Sequence, residues 1–355
     1  LLGIGAAAAV VRPRIAFPSD APAPAASGVI RLSANENPYG PSPRALEAMK
    51  GDFGDSCRYP DEQNERLIES LAKLNGVSRD QILLGDGSSE ILKICAAAFT
   101  GRNRKLAVAD PTFEAIVGYA KAGGADVVKV ALTNSYSHDL AKMGGAARGG
   151  LVYVCNPNNP TASITPKNDL RAFITGAPRE TTILVDEAYF HFADSADYES
   201  VIPLINGHPN LVVARTFSKV YGMAGLRCGY AVAQKETIAR MRPHQMWDSV
   251  NCMALAAAVA SVDDADQVTN GRKLINDAKA FTVGQLDAMG FKTIPSQANF
   301  IMFDCKRPVV PLIGALKQRN VIVGRLFPAL PNHMRLTIGK REEMDAFLAA
   351  FRQVV

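Results

Sequence analysis

The sequence has a single tryptophan and only six cysteines in 355 residues, and no two cysteines form a C-x-x-C pair. Cys57, Cys95, Cys155, Cys228, Cys252 and Cys305 are scattered along a chain far too long to depend on a disulfide framework. Reduced, mostly buried thiols are therefore expected. Histidine is also sparse: His138, His191, His208, His244 and His333 show no H-E-x-x-H or comparable spacing, which argues against a bound metal. No apolar run approaches the ~18–20 residues of a membrane-spanning helix. No block of five or more like charges occurs, and 39 basic against 34 acidic residues leave a formal charge of only +5. Neither nucleic acid nor a membrane is indicated as a partner.

What is present is ordinary for a soluble globular protein: 48% hydrophobic and 21% charged residues, with 28 Gly and 21 Pro. At roughly 100–200 residues per domain the length suggests about two domains. Leu1 to Val11 reads L-L-G-I-G-A-A-A-A-V-V and leads into a Pro/Ala-rich stretch through Ala26. This short run of small apolar residues has two readings: the tail of a secretory or twin-arginine signal, or a plain N-terminal arm. The corresponding locations are the periplasm, reached by export of the folded protein, and the cytoplasm.

From Gly28 onward, apolar runs alternate with helical patterns. Strands are expected at Gln81–Leu84, Lys105–Ala109, Asp126–Val130, Leu151–Cys155, Thr182–Asp186, Leu211–Arg215 and Gly229–Ala233. Helices are expected between them, at Ser89–Phe99, Phe113–Ala122 and Pro166–Thr175. Short, nearly continuous apolar strands separated by helices indicate an α/β fold with a mostly parallel central sheet and flanking helices. Ligands in such sheets bind beyond the carboxyl ends of the strands. After about Met246 the texture changes to long helices near Cys252–Ala260 and Asn270–Met289. Strands at Ala298–Asp304 and Arg335–Ile338 and a helix at Arg341–Arg352 follow, as in a smaller α+β C-terminal domain. The expected division is an N-terminal arm over 1–40, a large domain over 41–245 and a small domain over 246–355.

Three strand ends carry polar clusters. Cys155-Asn156-Pro157-Asn158-Asn159-Pro160-Thr161 cannot continue a strand; it reads as a turn that presents amide side chains, or as a turn alone. Asp186 ends the run Ile183-Leu184-Val185, and a carboxylate there must be paired or solvated. It could cap a helix, hold a metal or anchor a cationic ring nitrogen. Lys219 follows Thr216-Phe217-Ser218 just beyond a strand, where desolvation lowers a lysine's pKa and frees its amine as a nucleophile for a Schiff base.

The order Asn159, Asp186 with Tyr189, Lys219 and Arg227 resembles the fold-type-I pyridoxal-phosphate aminotransferases, most closely the histidinol-phosphate aminotransferase group. Further strings run in family order: Asn35-Glu36-Asn37-Pro38-Tyr39-Gly40, Arg58-Tyr59-Pro60-Asp61, Gly85-Asp86-Gly87-Ser88-Ser89-Glu90, Asp110-Pro111-Thr112-Phe113, Ala224-Gly225-Leu226-Arg227 and Met334-Arg335-Leu336-Thr337-Ile338-Gly339. Ala162 stands where the family's turn usually continues with glycine, and the string around Arg325 is not the one associated with authentic histidinol-phosphate enzymes. The resemblance implies pyridoxal 5'-phosphate as cofactor. Lys219 would carry it and shuttle the substrate proton, Asp186 would pair with the ring nitrogen, and Asn159 and Tyr189 would bond its phenolic oxygen. Phe113 would stack on the ring. Gly87, Ser88, Ser89, Thr216, Ser218 and Arg227 would hold the phosphate, with Tyr59 reaching it in the neighbouring subunit of a homodimer. Tyr39, Asn159, Arg325 and Arg335 would bind the substrate. The implied reaction is ping-pong amino transfer, with histidinol phosphate and 2-oxoglutarate or glutamate as the pair. Broad or aromatic specificity, a decarboxylase of the phosphothreonine type, and a non-catalytic relative are the alternatives. The intact lysine argues against the last.

Overall fold

Strands form where the sequence runs short and apolar. In the computed structural model, which describes residues 28–355, they are β1 (Ile30–Leu32), β2 (Ile82–Asp86), β3 (Leu106–Asp110), β4 (Val127–Ala131), β5 (Leu151–Cys155), β6 (Thr182–Asp186), β7 (Leu211–Thr216), β8 (Cys228–Ala233), β9 (Phe300–Asp304), β10 (Val321–Val323) and β11 (His333–Thr337). The signal-or-arm reading of residues 1–26 lies outside the described residues. The seven strands expected for the central sheet are all present, in the order β2-β8-β7-β6-β5-β3-β4. Pairs among β3 to β7 are parallel, while β8 runs antiparallel to both neighbours. The reversal follows from chain length: only Phe217 to Arg227 join β7 to β8, too few for the crossover of a dozen or more residues that a parallel return needs.

Alternation along each strand sends side chains to two separate cores. Val152 and Val154 join the core on one face with Ile183, Val185 and Val213; Leu151 and Tyr153 join the other with Leu184, Val212 and Ala231. Each such fully buried Val or Leu contributes about 1.5–3 kcal/mol relative to exposure. Because both faces are covered by helices, nearly every residue of β5, β6 and β7 must be apolar, and only their ends are free to be polar. The register sets Cys155 opposite Asp186 and Asp186 opposite Ala214. The polar ends of β5, β6 and β7 thus lie side by side at one edge. The chain also switches direction at β3, which has β4 on one side and β5 on the other. Ligand sites of open α/β sheets form at such a switch.

The remaining elements form two small sheets, β1 parallel to β10 and β9 antiparallel to β11. The pairing of β1 with β10 is absent from the sequence reading, since three-residue strands carry almost no periodicity of their own. The C-terminal helix Arg341–Arg352 closes over an aromatic cluster in which Phe291, Phe303 and Phe347 surround Phe351 at centroid distances of 5.1, 5.5 and 5.4 Å. Helix Cys252–Val262, almost wholly small and apolar, packs against helices Pro43–Asp52 and Asp61–Asn75. All six cysteines are free thiols, with Cys95, Cys155, Cys228 and Cys305 buried and Cys57 exposed.

One buried ion pair braces the sheet edge. Arg215 in β7 donates from Nε and Nη2 to Glu187 Oε2 at 3.0 and 2.8 Å, and also reaches Asn75 Oδ1 and Ser200 Oγ. The other Glu187 oxygen accepts from the Val201 amide. Every charged atom in the pair has partners, so removing one side strands the other in a dry core. Arg215→Ala is expected to cost about 3–5 kcal/mol of stability. The midpoint and slope of urea unfolding, compared with the parent chain, check this.

Candidate active site

The site begins where β2 ends. Asp86 precedes helix Gly87–Phe99 but makes no side-chain cap, so the helix's first amides are left open to an outside acceptor. Two glycines make this possible. Gly87 sits at φ +69°, and a Cβ there would lie 2.1 Å from Arg227 Nη2; a Cβ on Gly229 in β8 would lie 2.3 Å from the Ser88 amide nitrogen. The strand, the helix start and the guanidinium close in on one another because neither glycine has a side chain. Arg227, itself at φ +62°, is oriented by the Ala224 carbonyl at 2.9 Å. Opposite stand Thr216 and Ser218, bonded hydroxyl to hydroxyl at 2.9 Å. Amides, hydroxyls and a guanidinium, with no carboxylate in the set, suit a phosphate. Gly87→Ala should therefore weaken binding of a phosphate-bearing ligand by about tenfold or more, because the new methyl displaces Arg227 and strains the turn. Titration of the apoprotein with the phosphorylated cofactor checks it.

Asp186 ends β6 and is buried. Its Oδ2 accepts from the Tyr153 hydroxyl at 2.8 Å and its Oδ1 from the Ala188 amide at 3.1 Å. Burial pushes its pKa up to about 6, against the opposing pull of those two hydrogen bonds and the charge of Lys219. A carboxylate at this depth invites a cationic partner. Lys219 lies just beyond β7, its Nζ donating to the Asn35 carbonyl at 3.1 Å and lying 5.5 Å from the centre of the Tyr189 ring. Burial brings its pKa down to about 8, and the charge of Arg335 pushes the same way. A substantial fraction of its amine is neutral near pH 8, as a nucleophile or a proton carrier requires.

Around these two, the Tyr189 hydroxyl accepts from the amide groups of Asn35 and Asn159 at 3.1 and 3.4 Å, and burial raises its pKa. Arg335 donates from Nη1 to Asn159 Oδ1 at 2.8 Å and from Nη2 to the Ser33 carbonyl at 2.5 Å. Its buried Nε has no partner. An orphaned guanidinium N–H calls for an anion.

A cavity of about 230 Å³ unites Ser88, Ser89, Phe113, Asn159, Asp186, Tyr189, Thr216, Ser218, Lys219, Arg227 and Arg335. All of these come from the sequence reading. Gly87 stands immediately behind Arg227. Three other candidates lie elsewhere on the single chain. Tyr39 is 39% exposed and lines a separate groove near Asp264, Tyr59 is 79% exposed, and Arg325 pairs on the surface with Glu114. Asn35, Tyr153 and Cys155 were missed as site residues. Asn35 stands at φ +55°, a conformation asparagine tolerates, at the start of the Asn35–Gly40 string. Tyr153 was detectable as the one hydroxyl-bearing residue inside an otherwise apolar β5. The Cys155 thiol is pushed up by burial and stays protonated. Ala162, at φ +59° and fully buried, holds the conformation that glycine would adopt freely.

The donor-only pocket, the central acid and the depressed lysine fit an organic phosphate whose ring carries a cationic nitrogen. Comparison with known proteins agrees. The family model for aminotransferase class I and II matches residues 27–351. The histidinol-phosphate aminotransferase of Symbiobacterium thermophilum is 38% identical over 327 residues, 91% of this chain and 90% of that one. A solved structure from Erwinia carotovora atroseptica superposes with a TM-score of 0.88 at 31% identity, covering 92% of this chain and 95% of the other. The histidinol-phosphate aminotransferase of Sinorhizobium meliloti, solved with pyridoxal-5'-phosphate, gives a TM-score of 0.86 at 26% identity, with 92% of each chain covered.

Proposed function

Since the chain belongs to the aminotransferase class I and II family, we propose that it transfers an amino group between histidinol phosphate and 2-oxoglutarate, in a homodimer with pyridoxal phosphate held at Lys219. It is a pyridoxal-phosphate-dependent aminotransferase. The observation that carries the assignment of this cavity is that Lys219 and Asp186 line it together with Thr216, Ser218, Arg227 and Arg335; burial lowers the Lys219 pKa to about 8 and raises that of Asp186 to about 6. When bound, the cofactor supplies an electron-accepting ring that stabilises the charge left on the substrate's α-carbon.

The chain's own residues do the rest. The amides of Gly87, Ser88 and Ser89, the hydroxyls of Thr216 and Ser218, and Arg227 hold the phosphate. Asp186 keeps the ring nitrogen protonated, and Tyr153 holds the Asp186 carboxylate in place through the 2.8 Å bond. Asn159 and Tyr189 would bond the phenolic oxygen, and Phe113 would pack against the ring. Lys219 Nζ would hold the cofactor and, once freed by the substrate's amine, would take the proton from the substrate's α-carbon and deliver it to the cofactor side rather than back to that carbon. The orphaned Nε of Arg335 and its lowered pKa, caused chiefly by burial, mark it as the grip for an acidic group.

The dimer draws support from exposed large apolar side chains, Trp247 at 94% and Met246 at 61%, together with Tyr59. Such surfaces are usually covered by another chain. In that arrangement Tyr59 enters the partner's site. Among the described residues no helix is long and apolar enough to cross a membrane, and the cytoplasm is the proposed location.

A donor panel tests the function. The purified yellow holoenzyme should lose its visible absorbance on adding histidinol phosphate and regain it with 2-oxoglutarate. Release of carbon dioxide from a phosphorylated amino acid would assign the decarboxylase instead, and faster bleaching by tyrosine or phenylalanine the aromatic reading.

A further inference from the structure

Arg325 is not free to meet a substrate as it stands. Its Nη2 donates to Glu114 Oε2 at 2.5 Å and its Nη1 to the Leu326 carbonyl at 3.0 Å. Glu114 is the residue before helix Ala115–Ala122, yet its side chain does not cap that helix. It directly follows Phe113, which lines the cavity, so the ion pair ties the segment after β3 to the segment between β10 and β11. Phe327 links Arg325, which does not itself line the cavity, to Arg335, which does. Its ring is buried with Ile294 and Met302, and two guanidinium groups lie over it: Arg325 at 4.4 Å and Arg335 at 5.2 Å. Gly324 completes the approach, because a Cβ there would fall 2.7 Å from the Arg335 carbonyl. Two arginines therefore share one rigid aromatic platform. The inner one has an unpartnered N–H, and the outer one holds a carboxylate belonging to the protein.

We propose that Glu114 is a specificity-determining residue, a built-in counter-anion that occupies Arg325 until the distal anionic group of a substrate displaces it. This rests on the reading that the substrate carries such a group. The ion pair is suited to exchange. Both side chains are about half exposed, so the pair is weak and its opening costs little. A phosphate dianion can replace a carboxylate on Arg325 with a gain. A carboxylate-tailed compound exchanges like for like, and a neutral tail cannot compete. Glu114 thereby raises the threshold that a distal group must pass, and favours phosphate over weaker anions. The charge of Arg325 is also felt at Arg335, where it helps to lower the pKa. A ligand bridging the two would relieve that repulsion.

The test uses Glu114→Gln, Glu114→Asp, Arg325→Ala and the Glu114→Gln/Arg325→Ala double variant, each as holoenzyme, in which the cofactor's phosphate pocket is already filled. Inorganic phosphate is titrated calorimetrically, and steady-state kinetics are measured with histidinol phosphate and with histidinol. Glu114→Gln should bind phosphate roughly two- to fivefold more tightly, the range open to an exposed ion pair. It should lower KM for the phosphorylated donor by the same factor, leaving kcat and the histidinol KM unchanged. Glu114→Asp should behave like the parent, and Glu114→Gln should have no effect once Arg325 is gone. Unchanged or weaker phosphate binding in Glu114→Gln, or an equal shift for both donors, would overturn the proposal and leave the ion pair a simple brace. If the parent enzyme does not turn over histidinol phosphate, the substrate reading fails. The phosphate titration, which needs no turnover, still decides the role of Glu114.

Discussion

Lys219→Ala should lower kcat by about 10⁴-fold, the upper range for loss of a positioned proton carrier, and abolish covalent capture of the cofactor. The structure gives no substitute. Among the described residues, the other lysine held at a pKa of about 8 is Lys279, which donates to the Ser296 and Ala298 carbonyls and does not line the cavity. The visible absorbance of the purified variant and single-turnover rates with an amino donor provide the measurement. A variant that retained a tenth of the parent rate would remove Lys219 from the chemistry. The pH dependence has a definite sign. Burial makes the neutral amine the favoured form above about 8, so attachment of the cofactor to the parent apoprotein should accelerate as pH rises toward 8 and level off beyond it.

Asp186→Asn should reduce kcat by about 10²–10³-fold, as expected when a single preorganised electrostatic partner is lost. It should at the same time stabilise the apoprotein at neutral pH. In the folded chain the Asp186 carboxyl titrates near 6, above its ordinary 3.8, because burial penalises the charge. Between those values the folded state retains a proton that the unfolded state has released. The contribution to stability is full below 3.8 and is lost as pH rises through 6. Asparagine removes this slope. At pH 7 the variant apoprotein should gain on the order of 2 kcal/mol, while activity falls. Urea unfolding of both apoproteins at pH 4, 5, 6 and 7 checks the window, and a parent curve flat across it would refute the account. Tyr153→Phe removes a hydrogen bond that favours the charged carboxylate, so its apoprotein slope should steepen.

Several elements were legible at their ends to within a residue or two. β5 and β6 occur where their apolar runs begin and stop, at Leu151–Cys155 and Thr182–Asp186. Strands covered on both faces are almost wholly apolar inside, so the polar cluster that follows each run marks the strand's end and points to the site. β1 and β10, three residues each, had no such signal and form only because they meet each other. Asn35 illustrates a different limit: its string was visible, but its position over Lys219 depends on the contact of a segment 184 residues away.

The order of apolar runs and their polar ends indicated, from sequence alone, the α/β class and singled out Lys219 and Asp186 as polar residues at strand ends. Those properties are local, because burial on both faces dictates composition residue by residue. Tertiary structure decided what depends on distance between remote segments. It placed the Tyr153 hydroxyl on Asp186, and set Arg325 against a carboxylate 211 residues earlier in the chain. No periodicity encodes such pairs, since each exists only once packing brings two unrelated stretches together and leaves their charges facing.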